Sequence, residues 1–539
     1  MVLEWPPRPQ SLEASRRLPF DPMRHQTFRL ACALLVAAGL AASAPADLAA
    51  DVQAAIKAAG LKDATIAVSV RDADSDAELV AVQADRPMIP ASNMKLLTSG
   101  TALHLLGPDF RFRTRLVLVR ERAGSGAGGT LVIVGDGDPG FADPDLLAST
   151  TWVGKDGTVH RGMSSDQLVA LWVDAVKAAG VTSLREVVVD DRIFAREFFH
   201  PAWPVDQLNQ RSFAEVAGLN FQTNLIGLLP RPGNGPRPEF ELRPRAPWIS
   251  IENKATAGTG KKDKQDVWFS RVANANTFTA RGNVKFASTD PIEVPLHDAP
   301  SFMAALMAHR LRAAGIEVGS ARVASSQDPQ FIDPRDGTVR GELLAPTVET
   351  PFEQVLARCN TDSQNVHAEA LLKRAGHVAT KQPGSWTSGA EAVRRTIADR
   401  LGDPQLAAGL KVSDGSGLSK ENRVTARLLT AWLNSFHADS RLSAPFVDSL
   451  AVGGESGTIR NRFGKLATAG VTVQCKTGFV NGVSCLSGYV TMPDGRRRSF
   501  SVLGNNLVQA GAVAKAKKLQ EAIVEAVAED MRGTVVGGG

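Results

Sequence analysis

The chain has 539 residues, 43% of them apolar, which is too long for one ordinary domain and enough for two to four sizeable cores. Its formal net charge is only +5, and basic runs are no longer than Lys261-Lys262 or Arg496-Arg497-Arg498. That gives little support to nucleic-acid binding, while a mild positive balance suits work near an anionic envelope surface.

Arg24 and Arg29 precede an apolar run from Leu30 to Ala42, and Ala42-Ser43-Ala44 follows. A positive segment, a short apolar segment and a small-residue cleavage site make a signal peptide. The run is too short to favour a membrane span, so the mature chain is expected to have no transmembrane segment, and only peripheral envelope association is left open. Residues 1–44 are read as a dispensable Pro-rich extension plus this signal, cleaved near Ala44 after export by the general route. Arg16-Arg17 makes a poor twin-arginine signal, because Pro19 and further charges separate it from the apolar run. Removing residues 1–44 takes away five arginines and three acids, leaving a net charge of about +3.

An amphipathic helix is predicted over residues 48–59, then strands near 64–71 and 78–83. Ser92-Asn93-Met94-Lys95 opens the next apolar-periodic run, Met94, Leu96, Leu97, Ala102 and Leu103, which reads as a helix. The segment 113–340 is rich in strand signals, such as Thr130–Val134 and Glu186–Val189, and its Pro/Gly/Arg-rich stretch from Pro230 to Pro247 reads as an internal boundary. Ser363-Gln364-Asn365 lies 271 residues beyond Ser92. Lys476-Thr477-Gly478 continues the strand-like Val471–Cys475. A last helix is predicted at about 512–530, with a loose tail over 531–539. Without the signal, three cysteines remain, Cys359, Cys475 and Cys485, and an odd count leaves at least one thiol unpaired or paired between molecules. Cys475 and Cys485 are expected on neighbouring strands; burial as small hydrophobes is the default and a disulfide the alternative.

S-x-x-K alone occurs by chance roughly once or twice in a chain this long. The order and setting of all three fragments carry the weight, because S-x-x-K, S-x-N and K-T-G together are the triple of serine β-lactamases and penicillin-binding proteins. A serine hydroxyl is a weak nucleophile until a base takes its proton. Lys95, three residues on, shares a helix face with Ser92. To act as that base it must lose its own charge, through burial or a nearby cation such as Lys476. The blander reading is a helix cap and a solvated lysine.

Around these motifs the chain resembles the class C low-molecular-mass penicillin-binding proteins, the D-alanyl-D-alanine carboxypeptidase/endopeptidase family. The resemblance rests on Pro90–Leu96, Ser363–Asn365 with Ala368-Glu369, Asp414-Gly415-Ser416-Gly417-Leu418-Ser419, Gly457–Arg460, Lys476–Gly478, Gly482-Val483 and Ser487–Val490. Gly137-Asp138-Pro139, Asp190-Asp191 and Leu219–Phe221 add to it. It implies an α/β (α+β) fold: a β-lactamase/transpeptidase-like catalytic domain, residues 45–112 and 341–530, split by inserted domains over 113–340, one nested in the other at about 227–330. It further implies that Ser92 is acylated, Lys95 is the base, Ser363 relays a proton and Lys476 supports the proton network. Asn365, Thr477 and Gly478 would bind substrate, with the backbone N–H groups of Ser92 and Phe479 as the oxyanion hole. Two positions depart from the pattern. Phe479 stands where many relatives carry Thr or Ser, and Gln364 replaces the commoner Asp. The expected partners are peptidoglycan stem peptides and cross-links, with β-lactams as acylating inhibitors, in a periplasm or cell envelope. No cofactor or metal is expected.

Other signals are weaker. Gly454-Glu455-Ser456-Gly457 lacks a placed His and Asp. Asp136–Gly140 has Leu147 where a calcium loop needs Glu, and His367-Ala368-Glu369 has no Cys pair. The alternative functions are a serine β-lactamase, for which no E-x-x-L-N segment stands at the expected place, and a non-enzymatic wall-binding protein.

Overall fold

The computed structural model describes residues 47–120, 128–153, 158–258, 260, 264–333 and 337–533. The expected signal segment lies outside them. Asp47 starts the first helix, Leu48–Ala58, by accepting the backbone N–H groups of Ala49 and Ala50. Strands Thr65–Asp72 and Glu78–Val82 follow as an antiparallel pair.

These two strands complete a six-stranded antiparallel sheet whose other members come from the far end of the chain. The order is Ala451–Val452, Thr472–Val480, Val483–Thr491, Arg497–Asn505, Thr65–Asp72, Glu78–Val82. Eight residue pairs, from Thr65 opposite Asn505 to Asp72 opposite Arg498, join the chain's two ends. Both faces are covered, so Val483–Thr491 and Arg497–Asn505 are buried almost from end to end. On one face pack Leu48–Ala58 and the terminal helix, through Val52, Val68, Leu519, Ile523 and Val527. That helix spans Ala512–Gly533 and keeps Met531 buried, so the first residues of the tail expected over 531–539 are helix, and the rest lie outside the described residues.

The other face carries a helical layer: Met94–Leu106, Asn365–Thr380, Trp386–Leu401 and Ala426–His437. Trp432 is fully buried there and donates its indole N–H to Leu96 O at 2.9 Å. Tyr489 OH crosses from the sheet to Leu433 O at 2.6 Å. Such buried polar handles need partners; the first ties two helices together and the second ties that layer to the sheet.

Between the two halves lies a second six-stranded sheet. Glu317–Val323, Ser183–Asp190 and Thr130–Val134 run parallel, and Arg111–Val119 joins antiparallel, itself paired with Glu342–Leu343 and Val348–Pro351. Helices Ser165–Ala178 and Ala299–Ala313 cover one face. Smaller sheets, with strands between Leu225 and Pro295, pair only among themselves. The helix Ala299–Ala313 and strand Glu317–Val323 fall within the segment 227–330 read as the inner insert, yet they belong to the outer sheet, because Val318, Leu306 and Leu311 pack into its core. The stretch Pro230–Pro247, read as a boundary, is largely a hairpin: Leu225–Arg231 pairs with Glu239–Arg243. Proline and glycine there mark a turn between strands, not a domain edge.

Candidate active site

Ser92 sits in a single 3-10 turn, Ala91–Asn93, immediately before the Met94–Leu106 helix rather than on it. Residues three apart eclipse one another in a 3-10 turn, so the expected spacing still works: Lys95 Nζ lies 3.0 Å from Ser92 Oγ. Lys95 is fully buried. It also donates to Asn365 Oδ1 at 2.6 Å and to Ser416 O at 2.9 Å. Burial lowers its pKa to about 8, against the opposing influence of Cys359, Glu369 and Asp414.

The two acceptors set the amine's geometry. An amide oxygen and a backbone carbonyl can only accept. A neutral amine has two N–H bonds and one lone pair. With both N–H groups committed to Asn365 and Ser416, the lone pair is left facing the Ser92 hydroxyl, which is what a proton acceptor requires.

Ser363 and Lys476 form the opposite wall. Lys476 Nζ donates to Ser363 Oγ at 2.8 Å and to Thr477 O at 3.0 Å. Lys476 is also fully buried, and burial together with the Lys95 charge lowers its pKa to about 7. Ser363 holds φ at 60°, in the left-handed region that non-glycine residues rarely occupy. Thr477 donates to Thr458 Oγ1 at 2.9 Å.

The strand carrying Lys476 is pressed against the Ser92 turn. Its ladder with Ala451–Val452 reaches only Gln474 and Cys475, so among the described residues no strand pairs with that edge from Lys476 to Val480. Asn93 ties the two together, donating to Lys476 O at 2.7 Å and accepting from Ser487 Oγ at 3.0 Å. A Cβ on Gly478 would stand 2.6 Å from Pro90 O and 3.1 Å from Ser92 N, so only glycine allows this approach. Phe479 projects outward, 59% exposed.

Sequence reasoning placed Ser92, Lys95, Ser363, Asn365, Lys476, Thr477 and Gly478 in one site, and all of them meet here. It gave no role to Glu369, although the residue was in view. Glu369 is fully buried on the Asn365–Thr380 helix and accepts Gly415 N–H at 2.9 Å, Ser416 N–H at 2.8 Å and Trp386 Nε1–H at 2.8 Å. Burial, then Asp414, raises its pKa to about 7. It therefore holds in place the loop whose Ser416 carbonyl receives Lys95. Asp414 closes the same loop on itself, taking Gly417 N–H at 2.9 Å, Ser419 N–H at 2.6 Å and Trp203 Nε1–H at 2.7 Å. The segment 113–340 reaches the site as well: Asn365 Nδ2 donates to Ser212 O at 2.8 Å. Ser212, Arg211 and Thr223 line a cleft of about 440 Å³ with Ser363 and Asn365.

Cys359, Cys475 and Cys485 are all free and buried. Cys475 pairs across the sheet with Gly488 and Cys485 with Gly478, so the two thiols lie several rungs apart and the disulfide alternative falls away. Among the described residues no helix is long and apolar enough to cross a membrane.

The sequence model of the D-Ala-D-Ala carboxypeptidase 3 (S13) family matches residues 48–529. The D-alanyl-D-alanine carboxypeptidase of Actinomadura sp. (strain R39) is 30% identical over 518 residues, covering 91% of this chain and 88% of that one. The D-alanyl-D-alanine carboxypeptidase DacB of Haemophilus influenzae is 23% identical over 438 residues, covering 80% of this chain and 83% of that one. The crystal structure of penicillin-binding protein 4 from Haemophilus influenzae superposes with a TM-score of 0.68 at 21% identity, covering 88% of this chain and 99% of that one.

Proposed function

The chain belongs to the D-Ala-D-Ala carboxypeptidase 3 (S13) family, and on that premise we propose that it cleaves D-alanyl peptides of peptidoglycan through an ester on Ser92. The observation that carries this reading is the Lys95 amine, 3.0 Å from Ser92 Oγ with its two N–H groups aimed at Asn365 Oδ1 and Ser416 O. Neutral Lys95 takes the Ser92 proton as Oγ attacks the carbonyl carbon of the scissile bond. The oxyanion forms against the backbone N–H groups of Ser92 and Phe479. Ser363, hydrogen-bonded to Lys476, delivers a proton to the leaving amine, D-alanine departs, and water hydrolyses the ester. Asn365, Thr477 and Gly478 bind the peptide.

The same ester forms when a β-lactam ring opens on Ser92, and it persists because the leaving group stays tethered. Endopeptidase work on cross-links belongs to this proposal too. Phe479 offers no hydroxyl to a terminal carboxylate, and its exposed ring can meet the longer amine of a cross-linked stem. Such substrates require an exported protein, in keeping with the Arg24–Ala44 signal pattern.

The test is intact-mass spectrometry with benzylpenicillin beside D-alanine release from a peptide ending in D-Ala-D-Ala. A lasting one-to-one adduct and D-alanine release, both lost in Ser92→Ala, are the expected result. Penicillin consumed without an adduct would instead indicate a β-lactamase, and neither adduct nor release would overturn the acyl-enzyme.

A further inference from the structure

A second crevice, about 860 Å³, lies away from the acyl-transfer residues. Its floor is built from one place in the fold. Val134–Asp136, Asp190, Arg192 and Ala324–Ser326 line it, and these residues end or follow the three parallel strands Thr130–Val134, Ser183–Asp190 and Glu317–Val323 at their carboxyl ends. The crevice beyond the carboxyl ends of parallel strands is where open α/β sheets bind ligands, because the strand ends diverge there and leave backbone and side chains facing a common space. Its roof comes from the catalytic domain, through Arg374 and His377 on the Asn365–Thr380 helix and Lys381 just after it.

The charge inside is unbalanced. Arg192 is matched by both oxygens of Asp190, and Arg374 pairs with Asp136 at 3.0 Å. Arg196, a further lining residue, is held by Asp191 at 2.7 Å. Arg115 shares Asp136 with Arg374, so with those pairs formed the lining keeps an excess of positive charge, to which Lys381 adds. Arg374 Nε is buried and makes no hydrogen bond among the described residues. Ile193, Phe194 and Ile332 add apolar wall, and the volume is that of a small-molecule site rather than of a single ion.

We infer that this crevice is a binding site for a small organic ligand carrying oxyanion groups, carboxylate or phosphate, held between the parallel sheet and the catalytic helix by Arg115, Arg374 and Lys381. It is separate from the acyl-transfer site. Arg374 lies nine residues along its helix from Asn365, roughly 14 Å by helical rise. The reading does not depend on the chemistry at Ser92.

Isothermal titration calorimetry of the full chain with citrate and, separately, with pyrophosphate tests it. The variants are Lys381→Gln and Arg115→Gln, and a cooperative urea-unfolding transition reports that each one is folded. Saturable binding of at least one anion by the unaltered protein is expected, weakened about tenfold or more in each variant, since a charged hydrogen bond is worth that much, with the unfolding transition retained. Preference for citrate would assign the ligand to carboxylated compounds, and preference for pyrophosphate to phosphorylated ones. Binding of neither anion, or equal binding by both folded variants, would overturn the inference.

Discussion

At the scale of single residues, two buried lysines govern the site. Lys95 titrates near pH 8 and Lys476 near 7, both lowered chiefly by burial. Only neutral Lys95 can take the Ser92 proton, so falling pH removes the base. Acylation by benzylpenicillin is therefore expected to rise with pH through 7 to 8 and to drop about tenfold for each unit below that range. Stopped-flow acylation rates across that span check this; a flat profile would count against Lys95. Gly478 is the second single-residue constraint. In Gly478→Ala the new methyl would meet the Pro90 carbonyl, which is backbone and cannot swing aside. The Lys476 strand and the Ser92 turn would have to separate, and because small misplacements of reacting groups cost about a hundredfold in rate, acylation should fall by that order. Stability measured by urea unfolding should change much less than the rate.

At the scale of elements, the Asn365–Thr380 helix does two jobs one turn apart. Asn365 at its start accepts from Lys95, and Glu369 seats the 414–419 loop that supplies the other acceptor. Gly417 lets that loop close on the nucleophile turn: its φ is +85°, and a Cβ there would stand 1.8 Å from Ala91 O. Glu369→Ala strands three buried donors, Gly415 N–H, Ser416 N–H and the Trp386 indole. Each orphaned donor costs roughly 1–3 kcal/mol before relaxation, so a loss of several kcal/mol is expected in equilibrium urea unfolding, together with slower acylation. Glu369→Gln keeps one acceptor oxygen and should recover part of both. If it behaves like Glu369→Ala, the loop is not held through that oxygen.

At the scale of the whole molecule, the segment 113–340 and the chain beyond it are joined by buried charge as well as apolar contact. Arg358, on the Phe352–Asn360 helix, reaches Asp143 at 2.9 Å, Asp145 at 2.6 Å and Asp362 at 2.8 Å. Asp143 is fully buried and caps a helix within the segment 113–340. Arg358→Leu leaves that carboxylate without its counter-charge. Breaking a buried pair from one side costs about 3–5 kcal/mol, a loss urea unfolding should register. The double variant Arg358→Leu with Asp143→Leu is expected to be less destabilised than the single one, because no lone charge then remains. A single variant as stable as the unaltered protein would mean that the interface does not depend on this pair.

What the sequence determined by itself was whatever is written in local spacing. Ser92 and Lys95 are three residues apart, so any helical turn brings them together. Val471–Cys475 has the pattern of a strand, so Lys476 and Gly478 continue it. Leu48–Ala58 follows from apolar period, and the terminal helix was legible too. The meeting of Ser92, Asn365 and Lys476 was legible as a combination of motifs, but the contact itself is tertiary: it spans hundreds of residues and exists because the Arg497–Asn505 strand pairs with Thr65–Asp72. Only the fold decided that Ser416 O shares Lys95 with Asn365, that Glu369 anchors that carbonyl and that Ser212 braces Asn365. It alone decided that Cys475 and Cys485 stand out of register. Hydrogen-bond partners across a core are set by which elements pack together, and no local pattern encodes which carbonyl a buried side chain will find.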